Sequence, residues 1–369
     1  MALVTTLLRS RTAAALASPH GVDHYLERLN PMWAAHDVRA RVVAVLRETD
    51  TPGACVATVT LQPTGTWRGH RAGQYVQVGV DLPGAARRLT RCFSISSAAS
   101  LPGEQITLTI RARAEGQVSK FLVHDARPGQ MVHLSQAGGD FTLHESAATP
   151  TNNRLLFITG GSGITPAMSI VRTLLRDGYA DRANRKVTFL HFARSGADQI
   201  YAAELAEIAA ADNQVDVHLR HGGQRFNELE LGGLVPGFRD TDTWVCGPEG
   251  LVELVIDAYA GSDRLRVELF KAPLGPRTTD EDAGSAEGDV SFTRSGVAGA
   301  NTGAPLLEQA EALGLTPEFG CRMGICFSCT ARKTGGTVRN IMTGEESSGP
   351  DEDIRICVSA PAGDCSVDL

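Results

Sequence analysis

The stretch Cys321-Arg322-Met323-Gly324-Ile325-Cys326-Phe327-Ser328-Cys329 constrains this chain more than any other, and a distant fourth cysteine, Cys357, answers it. The spacing C-x4-C-x2-C with a remote partner is a ligand set for a [2Fe–2S] cluster. Soft thiolates suit iron–sulfur chemistry, and a short loop brings three of them to one point. Gly320 and Gly324 let the loop backbone curl close to sulfur. The competing reading is a structural zinc site. Zinc knuckles, however, favour two close pairs over three clustered ligands and one remote ligand. Cys321, Cys326, Cys329 and Cys357 are therefore the candidate metal ligands. Such a cluster carries single electrons, so the rest of the chain is expected to supply them.

The other cysteines, Cys55, Cys92, Cys246 and Cys365, are scattered and make no disulfide framework. Thiolates kept for a cluster point to a reducing, cytoplasmic setting. A length of 369 residues suggests two or three domains. A net charge of −7 argues against nucleic acid as the partner. No apolar run approaches the roughly 20 residues that span a bilayer. Residues 1–37 read as a helical extension: Leu3, Val4, Leu7 and Leu8 fall at helical spacing, with Arg9 and Arg11 nearby. A targeting peptide or an interfacial amphipathic helix is one reading, giving peripheral membrane contact. An arm packed on its own protein is the favoured one.

From Val38 the pattern turns to short strands, Arg41–Leu46, Ala54–Leu61, Gln74–Val80, Cys92–Ser96 and Gln105–Arg111, which predict an antiparallel β-barrel over 38–150. Over 151–271 the rhythm becomes alternating strand and helix. Strands are expected at Leu155–Thr159, Lys186–Ala193, Val215–Leu219 and Thr243–Cys246, and helices at Pro166–Arg176, Gln199–Ala211 and Pro248–Ala260. That alternation predicts a doubly wound α/β domain with a parallel sheet. Residues 272–287 read as a linker, rich in Gly and Pro with the acidic run Asp280-Glu281-Asp282. Residues 288–369 form the cysteine-bearing domain, with a helix at Leu306–Leu313.

Five motifs carry chemistry. Arg91-Cys92-Phe93-Ser94, on a barrel strand, offers a guanidinium for phosphate, a flat ring and a hydroxyl. Gly116-Gln117-Val118-Ser119 is a glycine turn opening a helix, a natural phosphate site. Gly160-Gly161-Ser162-Gly163-Ile164-Thr165-Pro166 lies between a strand and a helix, where glycines admit a pyrophosphate and Pro166 suits the first helical position. Cys246-Gly247-Pro248 repeats the device at a later strand end. Arg194-Ser195, just past the second strand of the α/β domain, is basic where an acidic residue would hold an NAD ribose, so it favours NADPH; Arg220 and Arg225 are candidate helpers.

In this order the motifs resemble the ferredoxin–NADP reductase family, and Gly288–Leu369 resembles a plant-type ferredoxin domain of β-grasp fold. The resemblance implies that Arg91 holds flavin phosphate, that Phe93, where the family usually has Tyr, packs on the isoalloxazine, and that Ser94 reaches its N5 edge. It implies that Gly161, Gly163 to Pro166 and Cys246 to Pro248 bind the nicotinamide nucleotide, with Cys246 near the nicotinamide. Glu268-Leu269-Phe270 is similar to the family's closing motif, in which Glu268 assists protons and Phe270 covers the flavin. Ser94, Cys246, Glu268 and Phe270 are thus the catalytic candidates. The implied cofactors are FAD, a [2Fe–2S] cluster and NADPH. Arg91 together with the Gly116–Ser119 turn offers donors enough for a pyrophosphate, hence FAD over FMN. The overall pattern, including Trp33 and His36-Asp37-Val38-Arg39, resembles reductase partners of membrane acyl-CoA Δ9 desaturases. The alternative acceptor is a soluble oxygenase acting on aromatic rings or phenylacetyl-CoA. A non-catalytic redox sensor is the reading of a different class, and complete nucleotide loops argue against it.

Overall fold

In the computed structural model the described residues are 8, 10–18, 20–84, 88–114, 116–143, 154–177, 186–270, 287–319, 322, 324 and 329–369. They fall into two units, Met1–Glu268 and Leu269–Leu369.

Among the described residues, the first unit holds the short helices α1 (Arg11–Leu16) and α2 (Val22–Leu29) ahead of the strands. Buried Asp23 accepts hydrogen bonds from the backbone N–H of Ala35 (2.6 Å) and His36 (3.0 Å). Arg39, 2 % exposed, pairs with Glu27 and donates to the Trp33 carbonyl at 2.6 Å. These polar ties fasten α2 to the start of the barrel. Leu16, Leu29 and Trp33 nevertheless stay exposed at 84, 76 and 54 %. Leu3, Val4, Leu7 and Arg9 lie outside the described residues.

Six antiparallel strands follow: β1 (Val38–Thr49), β2 (Val56–Pro63), β3 (Tyr75–Val80), β4 (Leu89–Ser94), β5 (Ile106–Arg111) and β6 (Met131–Leu134). Their order is β4-β3-β6-β1-β2-β5, and a bridge from Ile95 to Leu108 links the two ends into a barrel. Period-two alternation builds it: Ala57, Val59 and Leu61 of β2 point inward while Thr58, Thr60 and Gln62 lie less buried between them. β4 starts three residues earlier than expected and ends at Ser94, so Ile95 and Ser96 fall past it. β6 escaped the sequence reading because four residues give too few alternations to register. Helix α3 (Gln117–Lys120) runs into a π-turn at Phe121–Asp125, and its Val118 and Leu122 plug the barrel core.

Five parallel strands then form a sheet of order β11-β10-β7-β8-β9, from β7 (Arg154–Gly160), β8 (Lys186–Phe192), β9 (Val215–Arg220), β10 (Asp242–Cys246) and β11 (Leu265–Glu268). Helices α4 (Ile164–Arg176), α5 (Ala202–Ala210), α6 (Glu228–Leu234) and α7 (Glu249–Ala258) connect them. β7 reads Leu-Leu-Phe-Ile-Thr-Gly after Arg154 and is buried throughout that run, as a central parallel strand covered on both faces must be. Pro166 is the third residue of α4, not the first. A single 3-10 turn at Gly161–Gly163 lets the helix begin at Ile164. The third position still needs no N–H, so the proline is tolerated there. α5 starts at Ala202 instead of Gln199, because Gly196–Asp198 makes a 3-10 turn and Tyr201 sits in the left-handed region at φ 58°. α6 and β11 were not anticipated. α6 contains Gly232-Gly233, poor helix formers, and is held by Asn227, whose Oδ1 accepts from the N–H of Leu229 and Glu230.

The second unit holds β12 (Asp289–Phe292), β13 (Val297–Ala300), α8 (Leu306–Ala312), β14 (Thr330–Asn340), β15 (Glu346–Ser347), β16 (Glu352–Arg355) and β17 (Ser359–Asp368). The path is β13-β12-β17-β14-β15, with β16 on β14. β12 and β17 run parallel and the other pairs antiparallel. Leu306, Leu307 and Ala310 of α8 pack with Val290, Phe292, Ile356 and Val367, giving the β-grasp arrangement expected. Of the expected linker 272–287, residues 272–286 lie outside the described residues.

Candidate functional site

The chain leaves β7 toward β8 on one side and reaches β10 on the other, so a topological switch point lies between β7 and β10. Ligands of open α/β sheets bind outside the strand ends at such a point. Both predicted nucleotide loops, Gly161 to Pro166 and Gly247-Pro248, emerge there. Gly163 explains its own identity: a Cβ would stand 2.2 Å from the Cys246 carbonyl oxygen. The two loops therefore pack backbone against backbone, which only glycine permits. Beneath them the buried His191 ring lies 2.7 Å from Thr159 Oγ1, joining β7 to β8. Burial pulls its pKa down to about 3, so it stays neutral and braces the strand ends.

At the same edge three catalytic candidates meet. Cys246 and Glu268 are partners across β10 and β11, and Ser94 of the barrel donates toward Glu268 Oε1 at 3.5 Å, the outer limit of a hydrogen bond. Glu268 Oε2 is buried with no partner. Burial raises this carboxyl to about 8, against a small opposing pull from Ser94. It is therefore protonated at neutral pH and can give or hold a proton at the barrel–sheet boundary. The Cys246 thiol is 0 % exposed, and burial pushes it well above its ordinary range, with Glu268 adding to the shift. Phe270 belongs to the second unit, so its placement over this edge stays an expectation.

Beside the switch point opens a cavity of about 570 Å³ lined by Gly160, Gly161, Arg111, Arg194, Arg225 and Pro248, among others. Arg194 and Arg225 were foreseen. Arg220 does not line it, because its guanidinium is bound to Glu230 at 2.7 Å. Arg111 went unforeseen. It ends β5 next to the Gly116 turn, and its proximity to the second domain is not written in local sequence. Burial lowers its pKa, and Arg194 nearby adds to that. Asp198 also lines the cavity, accepting from Ser195 Oγ (2.8 Å) and facing Arg194 Nη2 (3.4 Å).

The remaining flavin candidates divide. On β4, Arg91 and Phe93 fall on one face while Cys92 and Ser94 fall on the other. Phe93 is half-buried against the barrel core, and Arg91 donates to the Thr90 carbonyl at 2.7 Å. The Ser119 hydroxyl is engaged within the turn itself: its Oγ accepts from Arg113 N–H (3.2 Å) and donates to the Gly116 carbonyl (3.1 Å). Val118 is a core side chain at 1 % exposure. What the turn offers a phosphate is backbone N–H at the start of α3. The unpartnered Glu268 oxygen beside Ser94 fits the polar edge of a planar group, while Phe93 lies on the opposite face of β4 against the barrel core.

In the second unit Cys329 and Cys357 are 2 and 3 % exposed, and Ile356 N–H donates to the Cys329 carbonyl at 3.3 Å. Gly324 has φ 73°, and a Cβ there would meet Val358 at 2.7 Å; Arg355 donates to its carbonyl. Gly324 is thus held by residues on both sides of Cys357, which fits a shared cluster. Cys321 and Cys326 lie outside the described residues, and among the described residues no three potential ligands converge. No helix among them is long and apolar enough to cross a membrane.

Residues 157–257 match the family described as the oxidoreductase NAD-binding domain. The chain is 36 % identical over 366 residues to an NADPH oxidoreductase of Mycobacterium tuberculosis, covering 97 % of this chain and 91 % of that one. It is 28 % identical to the stachydrine N-demethylase reductase subunit Stc4 of Rhizobium meliloti, covering 88 and 95 %. The solved structure of a phthalate dioxygenase reductase, titled as a modular structure for electron transfer from pyridine nucleotides to [2Fe–2S], superposes with a TM-score of 0.55 at 18 % identity, covering 90 and 97 %. That last likeness concerns the fold. With a relative 36 % identical along nearly the whole chain and a barrel, parallel sheet and β-grasp unit in this order, the chain belongs to the ferredoxin–NADP reductase-like oxidoreductases.

Proposed function

We propose that this chain is the reductase component of an oxygenase-type system, drawing electrons from NADPH by way of FAD and a [2Fe–2S] cluster. The observation that carries the reading is the meeting of Ser94 and Glu268, 174 positions apart, at the open edge of the switch point. A flavin bound there supplies two-electron acceptance and one-electron release, and the cluster a one-electron relay. The chain's own residues bind and orient. The glycine loops admit a pyrophosphate to the backbone, and Arg111 and Arg225 bring positive charge to it. Glu268 keeps a proton on its carboxyl, and Cys329 and Cys357, with Cys321 and Cys326, hold the metal.

NADPH is favoured over NADH because three guanidiniums face one carboxylate, Asp198, in the cavity. A phosphate contact by Arg194, which is exposed and therefore screened, is worth about 1–2 kcal/mol. Arg194→Ala should raise the KM for NADPH roughly tenfold and leave that for NADH within about twofold. Equal rises for both nucleotides contradict the assignment.

The acceptor is read as a soluble oxygenase component, by analogy with relatives named as subunits of demethylase and monooxygenase systems. A second reading, a membrane acyl-CoA desaturase, is favoured by the exposed Leu16, Leu29 and Trp33 of the N-terminal segment, which suit an apolar docking surface. In either case a cytoplasmic enzyme is meant, peripheral to the membrane in the second. Reconstitution decides. If a soluble oxygenase component turns over with this chain and desaturase-bearing membranes do not, the first reading holds; the reverse result establishes the second.

A further inference from the structure

One face of α4 is joined to the barrel by side-chain hydrogen bonds. Ser169, Arg172, Thr173 and Arg176 stand at i, i+3, i+4 and i+7, a single helical stripe. Ser169 Oγ donates to the Ser97 carbonyl (2.6 Å) and accepts from Gly73 N–H (3.3 Å). Thr173 Oγ1 accepts from Ala99 N–H (2.8 Å), and Arg176 donates to the Ala99 carbonyl (2.5 Å). Every acceptor and donor on the barrel side is backbone, and three of the four lie within residues 96–99, directly after Arg91–Ser94.

Arg172 is the centre of this seam. Its Nη1 donates to the Ser96 carbonyl (2.5 Å), two residues past Ser94. Its Nε and Nη2 form a fork onto Glu204 of α5 (2.8 and 2.5 Å). Its guanidinium lies over the ring of Tyr201, 4.5 Å from the centroid. Tyr201 is 4 % exposed and held at φ 58°, a conformation non-glycine residues adopt only when their surroundings demand it. Tyr201 ends the loop that carries Arg194, Ser195 and Asp198, and Glu204 stands in the first turn of the helix that follows. One side chain therefore touches the exit of the Ser94 strand, the helix that continues from the glycine loop, and the loop that faces the nucleotide's far end.

We propose that Arg172 is a positioning residue that fixes the barrel strand bearing Ser94 against the helix of the glycine loop and against the loop carrying Arg194, so that donor and acceptor of the hydride meet in register. The inference rests on the NADPH-reductase reading above. Rate is steep in such geometry, since a displacement of about 1 Å costs about a hundredfold. A fork is needed because a point charge on lysine cannot hold Ser96 and Glu204 together at fixed angles.

The test uses the full holoprotein. In stopped-flow mixing with saturating NADPH, Arg172→Met should reduce bound flavin at least thirtyfold more slowly per flavin. Affinity for 2′,5′-ADP should change less than threefold. Amide exchange should rise in peptides covering Gly73 and residues 96–100, and stay unchanged in β1 and β2. Arg172→Lys should recover part of the rate. If Arg172→Met yields no folded protein, Thr173→Val, which removes the Ala99 contact, carries the test with a rate loss of at least fivefold. A rate per flavin within threefold of wild type, or a loss accounted for by weaker 2′,5′-ADP binding, overturns the proposal. A wild-type chain that takes no hydride from NADPH overturns the functional reading instead.

Discussion

Replacing Cys357 by serine should strip the chain of its iron–sulfur absorbance and end delivery of electrons to any oxygenase-type acceptor, while reduction of ferricyanide persists. Cys357 and Cys329 are buried in one apolar cluster with Ile354, Ile356 and Val358, so a lost ligand cannot be replaced by water without opening that core. Arg355 and Val358 hold Gly324, which lies between Cys321 and Cys326 in sequence, on either side of Cys357. Cys365 supplies the control. It is buried in β17, paired across the sheet with Val290 and Gly336, and burial raises its thiol pKa. Cys365→Ser should therefore keep iron and sulfide at wild-type levels and lose only packing energy, about 1–2 kcal/mol. Counting iron and inorganic sulfide in both purified variants checks this. Full metal content in Cys357→Ser, or loss in Cys365→Ser, contradicts the ligand assignment.

The second large effect concerns Glu268. Its carboxyl titrates near 8 when folded and near 4.5 as a free side chain. Below about pH 4.5 both states are protonated and the group contributes nothing. Between pH 4.5 and 8 the folded chain holds a proton that the unfolded chain has released, so stability falls as pH rises. Above pH 8 the cost levels off, at up to about 5 kcal/mol. Glu268→Gln keeps the shape and removes the titration. Its Tm should match wild type near pH 4.5 and exceed it by several degrees at pH 8.5, an expectation scaled from about 4 °C or less per kcal/mol for a chain of this size. The same change should erase the limb near pH 8 in the pH profile of NADPH oxidation. Parallel Tm curves for the two proteins across this range contradict the buried, protonated carboxyl.

Much of this was legible because local patterns carry local structure. Alternation in β2, the buried run of β7 and the strand–glycine–helix signal at Gly160 to Pro166 each reflect a period or a steric demand within a few residues. What was not legible depends on distant segments. Arg111 faces the cavity beside the switch point because the barrel and the parallel sheet dock there. Ser119 is bound within its own turn, which a motif match cannot reveal. The seam built by Ser169, Arg172 and Thr173 reads in sequence as an ordinary polar stripe on a helix, and only its backbone partners at residues 96–99 give it meaning. Arg220 pairs with Glu230, ten positions on, a contact that its own neighbourhood in the sequence does not announce.

The central claim is that NADPH electrons enter at the Ser94–Glu268 edge and leave through the cysteine-bearing unit. Anaerobic titration of the purified holoprotein with NADPH, followed by visible absorbance and electron paramagnetic resonance, tests it most directly. The account predicts bleaching of the flavin bands together with a rhombic reduced-cluster signal, and that signal should be missing from Cys357→Ser while the bleaching remains. Absorbance that does not change on adding NADPH, or a cluster signal that survives in Cys357→Ser, would contradict it.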